Sequence, residues 1–277
     1  MNVVVKLQGG LGNQMFQYAF GKNISKLTNR KLFLDVSFLK RRDLGPDFVY
    51  RNYDLDIFEL ENINVVDGFD GEFDLITENF NPNLKEEDID EIINNIQQNF
   101  SDTIYLDGYW SSPKFFGCVD FVFKNKFLDK STDLLLDIQN TNSVMLNIRR
   151  TDFLLNDFHG TFGKDYLQKG IENLLLRFND LKFYIFSDDI EWCQNNLSDI
   201  SNSTIVTHEH KGDKFYNYLL LMSECKHFII PNSTFAWWAA YLSKNQTKKV
   251  LYPEIWLNSL NSECELLYFG LDWEKNC

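Results

Sequence analysis

The chain predicts an α/β fold built on parallel sheets, and three observations carry that prediction. A strand, a glycine turn and an apolar helix follow one another at the very start of the sequence. Strands and amphipathic helices then alternate through the second half, the pattern of a parallel sheet covered by helices on both faces. Finally, 277 residues that are 44% hydrophobic suffice for one large α/β domain or two closely packed ones.

Taken in order, Asn2 to Leu7 form the first strand, and QGGLGNQM supplies the turn. Met15, Phe16, Ala19, Phe20, Ile24 and Leu27 recur at helical spacing after it, which predicts a helix with one buried face. LFLD, residues 32–35, is the next strand. Between about Lys40 and Asn99 the pattern is irregular and acidic, with one short helix expected near EEDIDEIINNI. IYLDGYW, residues 104–110, reads as a strand leading to a helix that Pro113 opens. In the second half VMLNI, KFYIF, TIV, HFII and KVLY read as strands, and helices are expected to begin near Asp165, Asp189, Asp213 and Thr234.

Charge and composition exclude several classes of function. A formal net charge of -13 opposes broad affinity for nucleic acid or anionic membranes, both of which need clustered Lys and Arg. The five cysteines, Cys118, Cys193, Cys225, Cys264 and Cys277, make no CxxC pair or Cys/His ladder of the kind zinc requires, and read as free thiols of a reducing compartment. No secretory h-region follows MNVVVKLQGG, and no run of about 18 apolar residues predicts a membrane span. A cytoplasmic location is the expectation.

In open parallel sheets, ligands bind beyond the carboxyl ends of the strands. Three polar clusters fall there: Arg149 and Arg150 after VMLNI, Ser187, Asp188 and Asp189 after KFYIF, and Asn232, Ser233 and Thr234 after HFIIP. Two guanidinium forks at the end of a buried strand call for an anion, and a diphosphate is their natural partner, although Arg150 could equally pair with Asp152 or another carboxylate. Ser233 and Thr234 sit where a helix begins, offering backbone N–H groups and hydroxyls to the same anion or simply capping the helix. Of the two carboxylates in FSDD, Asp189 is the expected helix cap. Asp188 is then the candidate ligand, because a carboxylate can accept paired hydrogen bonds from a guanine edge. Trp237 and Trp238 read as core residues.

The first turn partly matches a dinucleotide fingerprint, with Gly10-x-Gly12 and Asp35 ending the second strand. Met15 replaces the third glycine, and the expectation is that it obstructs close helix packing. What the turn offers is a backbone open to close approach at Gly12, with Asn13 and Gln14 as hydrogen-bonding groups. The loop TDFLLNDFHGTFGKD supplies titratable groups, Asp152, Asp157, His159 and Asp165, among which His159 and Asp157 are comparable candidates for a general base.

GGLGNQMFQYAFG (9–21), GYWSSPKFF (108–116), NIRRTDF (147–153), FHG (158–160), FSDD (186–189) and NSTFAWWAAYL (232–242) together resemble the α-1,2-fucosyltransferase family, in family order across nearly the whole chain. The resemblance implies a GT-B fold: two Rossmann-like domains with parallel sheets facing a central cleft, 1–140 facing the acceptor and 141–277 holding GDP-fucose. It implies metal-free transfer of L-fucose from GDP-β-L-fucose, the donor substrate, to a galactose-containing glycan, with inversion to an α-1,2 linkage and no further cofactor. By similarity Arg149 meets the diphosphate, Asp188 and Ser233 contribute to nucleotide recognition, and Asn13 lines the cleft near the reacting sugar. The chain departs from the family pattern at Asn147, where histidine is usual, and at Thr151 of RRTD.

Overall fold

The computed structural model describes residues 1–46, 48–81, 84–117, 119–124, 131–154, 160–257, 265–268 and 270–276. Contacts divide the chain into two units, Met1–Lys124 with Cys264–Leu271, and Asn125–Glu263 with Asp272–Cys277.

The first unit holds β1 (Asn2–Lys6), α1 (Leu11–Thr28), β2 (Lys31–Asp35), α2 (Ser37–Lys40), β3 (Ile63–Val66), β4 (Asp74–Thr77), α3 (Glu86–Gln97) and β5 (Thr103–Asp107). Its sheet has the order β3-β2-β1-β5-β4, and every pairing is parallel. Val3, Val4 and Val5 of central β1 are fully buried, as expected of a strand covered on both faces. Helix α1 buries Met15, Phe16, Ala19, Phe20 and Ile24, whereas Leu27 is 47% exposed, so the apolar face stops one turn short of the expected one. Met15 does not hold the helix off the sheet. The close contact falls at Gly21, where a Cβ would lie 2.3 Å from Val5 Cγ2 and 3.1 Å from Leu32 Cδ1. The expected acidic helix is α3, with Glu86, Glu87 and Asp88 in its first turn, where the helix dipole favours them. Pro113 opens only a single 3₁₀ turn, Pro113–Phe115, capped by the Ser112 hydroxyl.

The second unit holds α4 (Thr132–Asn140), β6 (Asn142–Ile148), α5 (Lys164–Leu175), β7 (Leu181–Ser187), α6 (Ile190–Asn196), β8 (Ser203–Ile205), α7 (Tyr216–Ser223), β9 (His227–Ile229), α8 (Thr234–Leu242), β10 (Val250–Pro253) and β11 (Glu274–Asn276). Its parallel sheet runs β11-β10-β9-β6-β7-β8. Val144, Leu146, Phe183 and Ile185 pack with Leu167, Ile171 and Leu174 of α5 in one core. The division between units falls upstream of residue 140 because α4 is tied to this sheet. Ile138 is fully buried, Lys182 pairs with Asp137 at 2.6 Å, and the Thr141 and Tyr184 hydroxyls meet at 3.0 Å.

Strand order also locates the crevices. In the second unit the chain leaves β6 for β7 and β8 on one side, then returns to β9 on the other. The switch point, where ligands bind in such sheets, lies beyond the ends of β6 and β9. In the first unit the corresponding point lies beyond β1 and β5.

Candidate active site

Strand β6 ends at Ile148, so Arg149 and Arg150 emerge at the switch point of the second unit. Their side chains take different partners. Arg149 is held in a fork, with NH1 2.8 Å from Asp188 Oδ2 and NH2 2.6 Å from Asp152 Oδ1. It also lies 5.5 Å over the Phe153 ring. Arg150 stacks over Trp192 at 4.2 Å and reaches Asp189 at 3.3 Å, the carboxylate pairing left open by the sequence.

The FSDD segment at the end of β7 orders this turn. Asp188 Oδ1 accepts from Arg150 N at 3.0 Å, and its Oδ2 accepts from Thr151 N at 3.2 Å and from the Thr151 hydroxyl at 2.5 Å. Asp188 thus clamps residues 149–151, with both oxygens engaged by the chain itself. Asp189 caps α6 by accepting from Trp192 N at 3.0 Å, as expected. Asn147 donates to Phe186 O at 3.2 Å, bridging β6 and β7. Thr151 and Asp152, two members of the clamp, carried no specific expectation of positioning Arg149. Only the i,i+3 spacing of Arg149 and Asp152 hints at it.

The second arm of the crevice follows β9. Asn232 is buried and donates to Trp256 O at 3.0 Å, fixing the strand-to-helix turn. Ser233 is the N-cap of α8 in extended conformation, and its side chain makes no cap hydrogen bond. The first-turn N–H groups have no partner within the helix itself, and the hydroxyl does not claim one of them. Trp237 and Trp238 are fully buried and pack against Tyr241 at 4.9 and 5.3 Å, so they belong to the core. Two guanidinium groups facing three carboxylates leave no surplus positive charge in the β6 turn. The α8 N-terminus, with its partial positive charge, therefore matters for any anion bound here.

At the first unit's switch point, Gly9 adopts φ +75, and a Cβ there would lie 2.4 Å from Asn13 Nδ2. Asn13 thus folds back over the turn, and Gly12 beside it is buried. Gln14 and Gln17, fully buried, hold the surroundings in place. Gln14 donates to Gly9 O and Asn52 O and accepts from Asp54 N. Gln17 accepts from Gln8 N at 3.0 Å and donates to Gly108 O at 3.1 Å, joining the turns that follow β1 and β5. Asp35 is 3% exposed and accepts from Ser37 N, Gly68 N and the Tyr105 hydroxyl. Burial raises its pKa, but these hydrogen bonds outweigh it and hold the carboxyl below its ordinary range. No oxygen of Asp35 is left for a ribose, which removes the dinucleotide reading of this turn.

The base candidates Asp157 and His159 lie outside the described residues. Among the described residues no cluster of His, Cys, Asp and Glu could hold a metal ion, and no helix is long and apolar enough to cross a membrane. Cys193 and Cys225 are buried free thiols. Burial pushes Cys193 up to about 11 and Cys225 well above its ordinary value.

Two parallel-sheet α/β units, one with an arginine turn and a helix start at its switch point, make the architecture of the GT-B glycosyltransferase class. The model of glycosyl transferase family 11 matches residues 73–270, and the chain belongs to that family. The resemblance to α-1,2-fucosyltransferases is thereby borne out. The chain is 31% identical to an α-1,2-colitosyltransferase of Escherichia coli, over 94% of each protein. It is 28% identical to the Escherichia coli O-antigen biosynthesis glycosyltransferase WbnK, over 92% of this chain and 95% of that one. A rat galactoside α-(1,2)-fucosyltransferase 1 is 33% identical over 38% of this chain and 29% of its own length. Among solved structures, NodZ α-1,6-fucosyltransferase co-crystallised with GDP shares the fold, with a TM-score of 0.54 at 16% identity over 87% of this chain and 91% of that one.

Proposed function

We propose that the chain transfers L-fucose from GDP-β-L-fucose to a glycan hydroxyl, the 2-OH of a terminal galactose, with inversion to an α-1,2 linkage. One observation carries this reading: a clamped two-arginine turn and a helix start whose Ser233 side chain makes no cap bond follow the adjacent strands β6 and β9 at one switch point. The acceptor oxygen attacks C1 of the sugar from the face opposite GDP. The C1–O bond to the diphosphate breaks, and the acceptor proton passes to a base, for which Asp157 or His159 stands as candidate. Negative charge grows on the departing diphosphate, and Arg149, Ser233, Thr234 and the α8 N–H groups are placed to meet it. Arg150 orients the turn through Trp192 and Asp189. With guanidinium and helix-terminus charge serving the leaving group, no metal is required. The family membership removes the oxidoreductase alternative. A binding protein without chemistry would take GDP but never consume the donor.

The likeness to an α-1,2-colitosyltransferase over nearly full length favours a second reading at one point only, the donor sugar: colitose in place of fucose. Incubation with GDP-fucose or GDP-colitose, galactose-terminated acceptors and EDTA decides between them. The expected result is GDP release with an α-1,2-fucosyl product and no loss of rate in EDTA. Product from GDP-colitose alone transfers the proposal to that sugar, and no turnover with either donor contradicts it.

A further inference from the structure

Beneath α3 and the end of β4, the first unit carries a cavity of about 520 Å³, lined among others by Ile76, Glu78, Phe80, Ile96, Trp110 and Phe115. That volume falls in the roughly 300–1,000 Å³ range of small-ligand sites. Its inner wall is constructed around one carboxylate. Glu78 Oε2 accepts from Tyr109 N at 2.5 Å and from Trp110 N at 3.0 Å, while Oε1 has no partner among the described residues. Burial raises the Glu78 pKa and the two backbone N–H groups oppose that rise. Gly108 is required for the approach, since a Cβ there would lie 2.3 Å from Glu78 Cβ and 2.8 Å from its Oε2.

Trp110 carries two anomalies at once. Its backbone is left-handed at φ 53, which is rare for a bulky side chain and tends to mark functional positions. Its side chain is 1% exposed, yet the indole Nε1–H has no acceptor among the described residues. A buried, unpaired donor on a cavity wall calls for a partner.

The remaining lining narrows the ligand. Among the described residues no Lys or Arg lines the cavity, so phosphates and other anions are disfavoured beside the Glu78 carboxylate. Carboxamides of Asn79 and Asn95 and the 49% exposed ring of Phe80 also line it. A carboxylate oxygen to accept from hydroxyls, an indole N–H to donate, and an aromatic ring for a C–H face together suit a neutral sugar ring. We infer that this cavity is a saccharide subsite of the first unit, taking a neutral sugar residue of the acceptor glycan. The inference rests on the glycosyl-transfer reading only for the source of that sugar.

The test follows the Trp110 indole resonance by NMR, assigned with Trp110→Phe, while a galactose-terminated oligosaccharide or free galactose is added without donor. GDP binding is measured in parallel by calorimetry. The expected result is a saturable shift of that resonance with the oligosaccharide and a weaker response to free galactose. Phe80→Ala should weaken the binding and raise the acceptor KM at least 5-fold, with GDP binding unchanged. Glu78→Gln keeps one acceptor for Tyr109 and Trp110 and should act in the same direction. Should that variant fail to fold, Phe80→Ala still reads the site from a half-exposed position. An indole resonance that stays fixed at saturating acceptor, in a protein that binds GDP and turns over, overturns the subsite and leaves the transfer reading intact. An equal response to free galactose reassigns the site to a free sugar and overturns the acceptor assignment. Loss of GDP binding strikes the donor reading alone, since the indole titration needs no donor.

Discussion

Beyond β6 and β9 the second unit presents two arginines, three carboxylates that aim them, and the start of α8. Beyond β1 and β5 the first unit presents a glycine turn, the amides Asn13, Gln14 and Gln17, and a Lys6–Asp107 pair at 2.8 Å. Both crevices arise from the same topological event, a parallel sheet whose strand order reverses. Their chemistry is opposite. One sets guanidinium–carboxylate pairs beside a helix start, the other a network of carboxamide and backbone hydrogen bonds. The strand order places a crevice, and the four or five residues after each strand decide what it takes.

The largest expected effect breaks the comparison at Arg149. Arg149→Ala removes the fork proposed to meet the leaving diphosphate and should lower kcat by about 10²–10³-fold, read as GDP release. Arg149→Lys keeps the charge but loses the bidentate geometry, and should recover only part of it. Asp188→Asn comes next. It leaves the 149–151 turn without its charged clamp and Arg149 with a weaker partner, at a cost of about 2–4 kcal/mol. Chemical denaturation should show that loss together with weaker GDP binding.

Two smaller effects separate the units by stability. His227 in β9 is 3% exposed, and its Nδ1 accepts from Lys249 N at 3.1 Å. Burial first, then the neighbouring Lys226 and Lys249, push its pKa from 6.5 down to about 4. Folded His227 stays neutral while the unfolded chain takes up a proton below pH 6.5. Its contribution is therefore present above 6.5 and is lost as pH falls towards 4, by on the order of 3 kcal/mol. Thermal unfolding between pH 7 and 4 should show this fall, and His227→Gln should flatten it. In the first unit Gly21→Ala forces a Cβ to within 2.3 Å of Val5 Cγ2 and should cost about 1–3 kcal/mol. GDP binding below the melting transition should be unaffected.

Legibility in the sequence followed burial. β6, β7 and β9 are buried apolar runs ending in polar clusters, so their order along the chain and the rim they share could be read directly. β3 and β4 could not, because they are edge strands whose residues are mostly exposed, with none of the alternation that marks a half-buried strand. The arginine turn was visible as residue types at a strand end. The division of labour within it was not, because the Arg149–Asp188 pair and the Arg150–Trp192 stack join residues roughly 40 apart in the chain. Gly21 in place of a third turn glycine shows the same limit, since only the register of α1 on β1 reveals which residue touches Val5. Glu78 is one acid in an acidic stretch, and nothing local marks it as the anchor of Tyr109 and Trp110.

Calorimetric titration of GDP into the wild-type chain, Arg149→Ala and Glu78→Gln tests the division between the units most directly. Wild type and Glu78→Gln should bind GDP alike, and Arg149→Ala should bind at least tenfold more weakly. Unchanged GDP affinity in Arg149→Ala, or an equal loss in Glu78→Gln, would contradict the assignment of the donor diphosphate to the second unit's switch point.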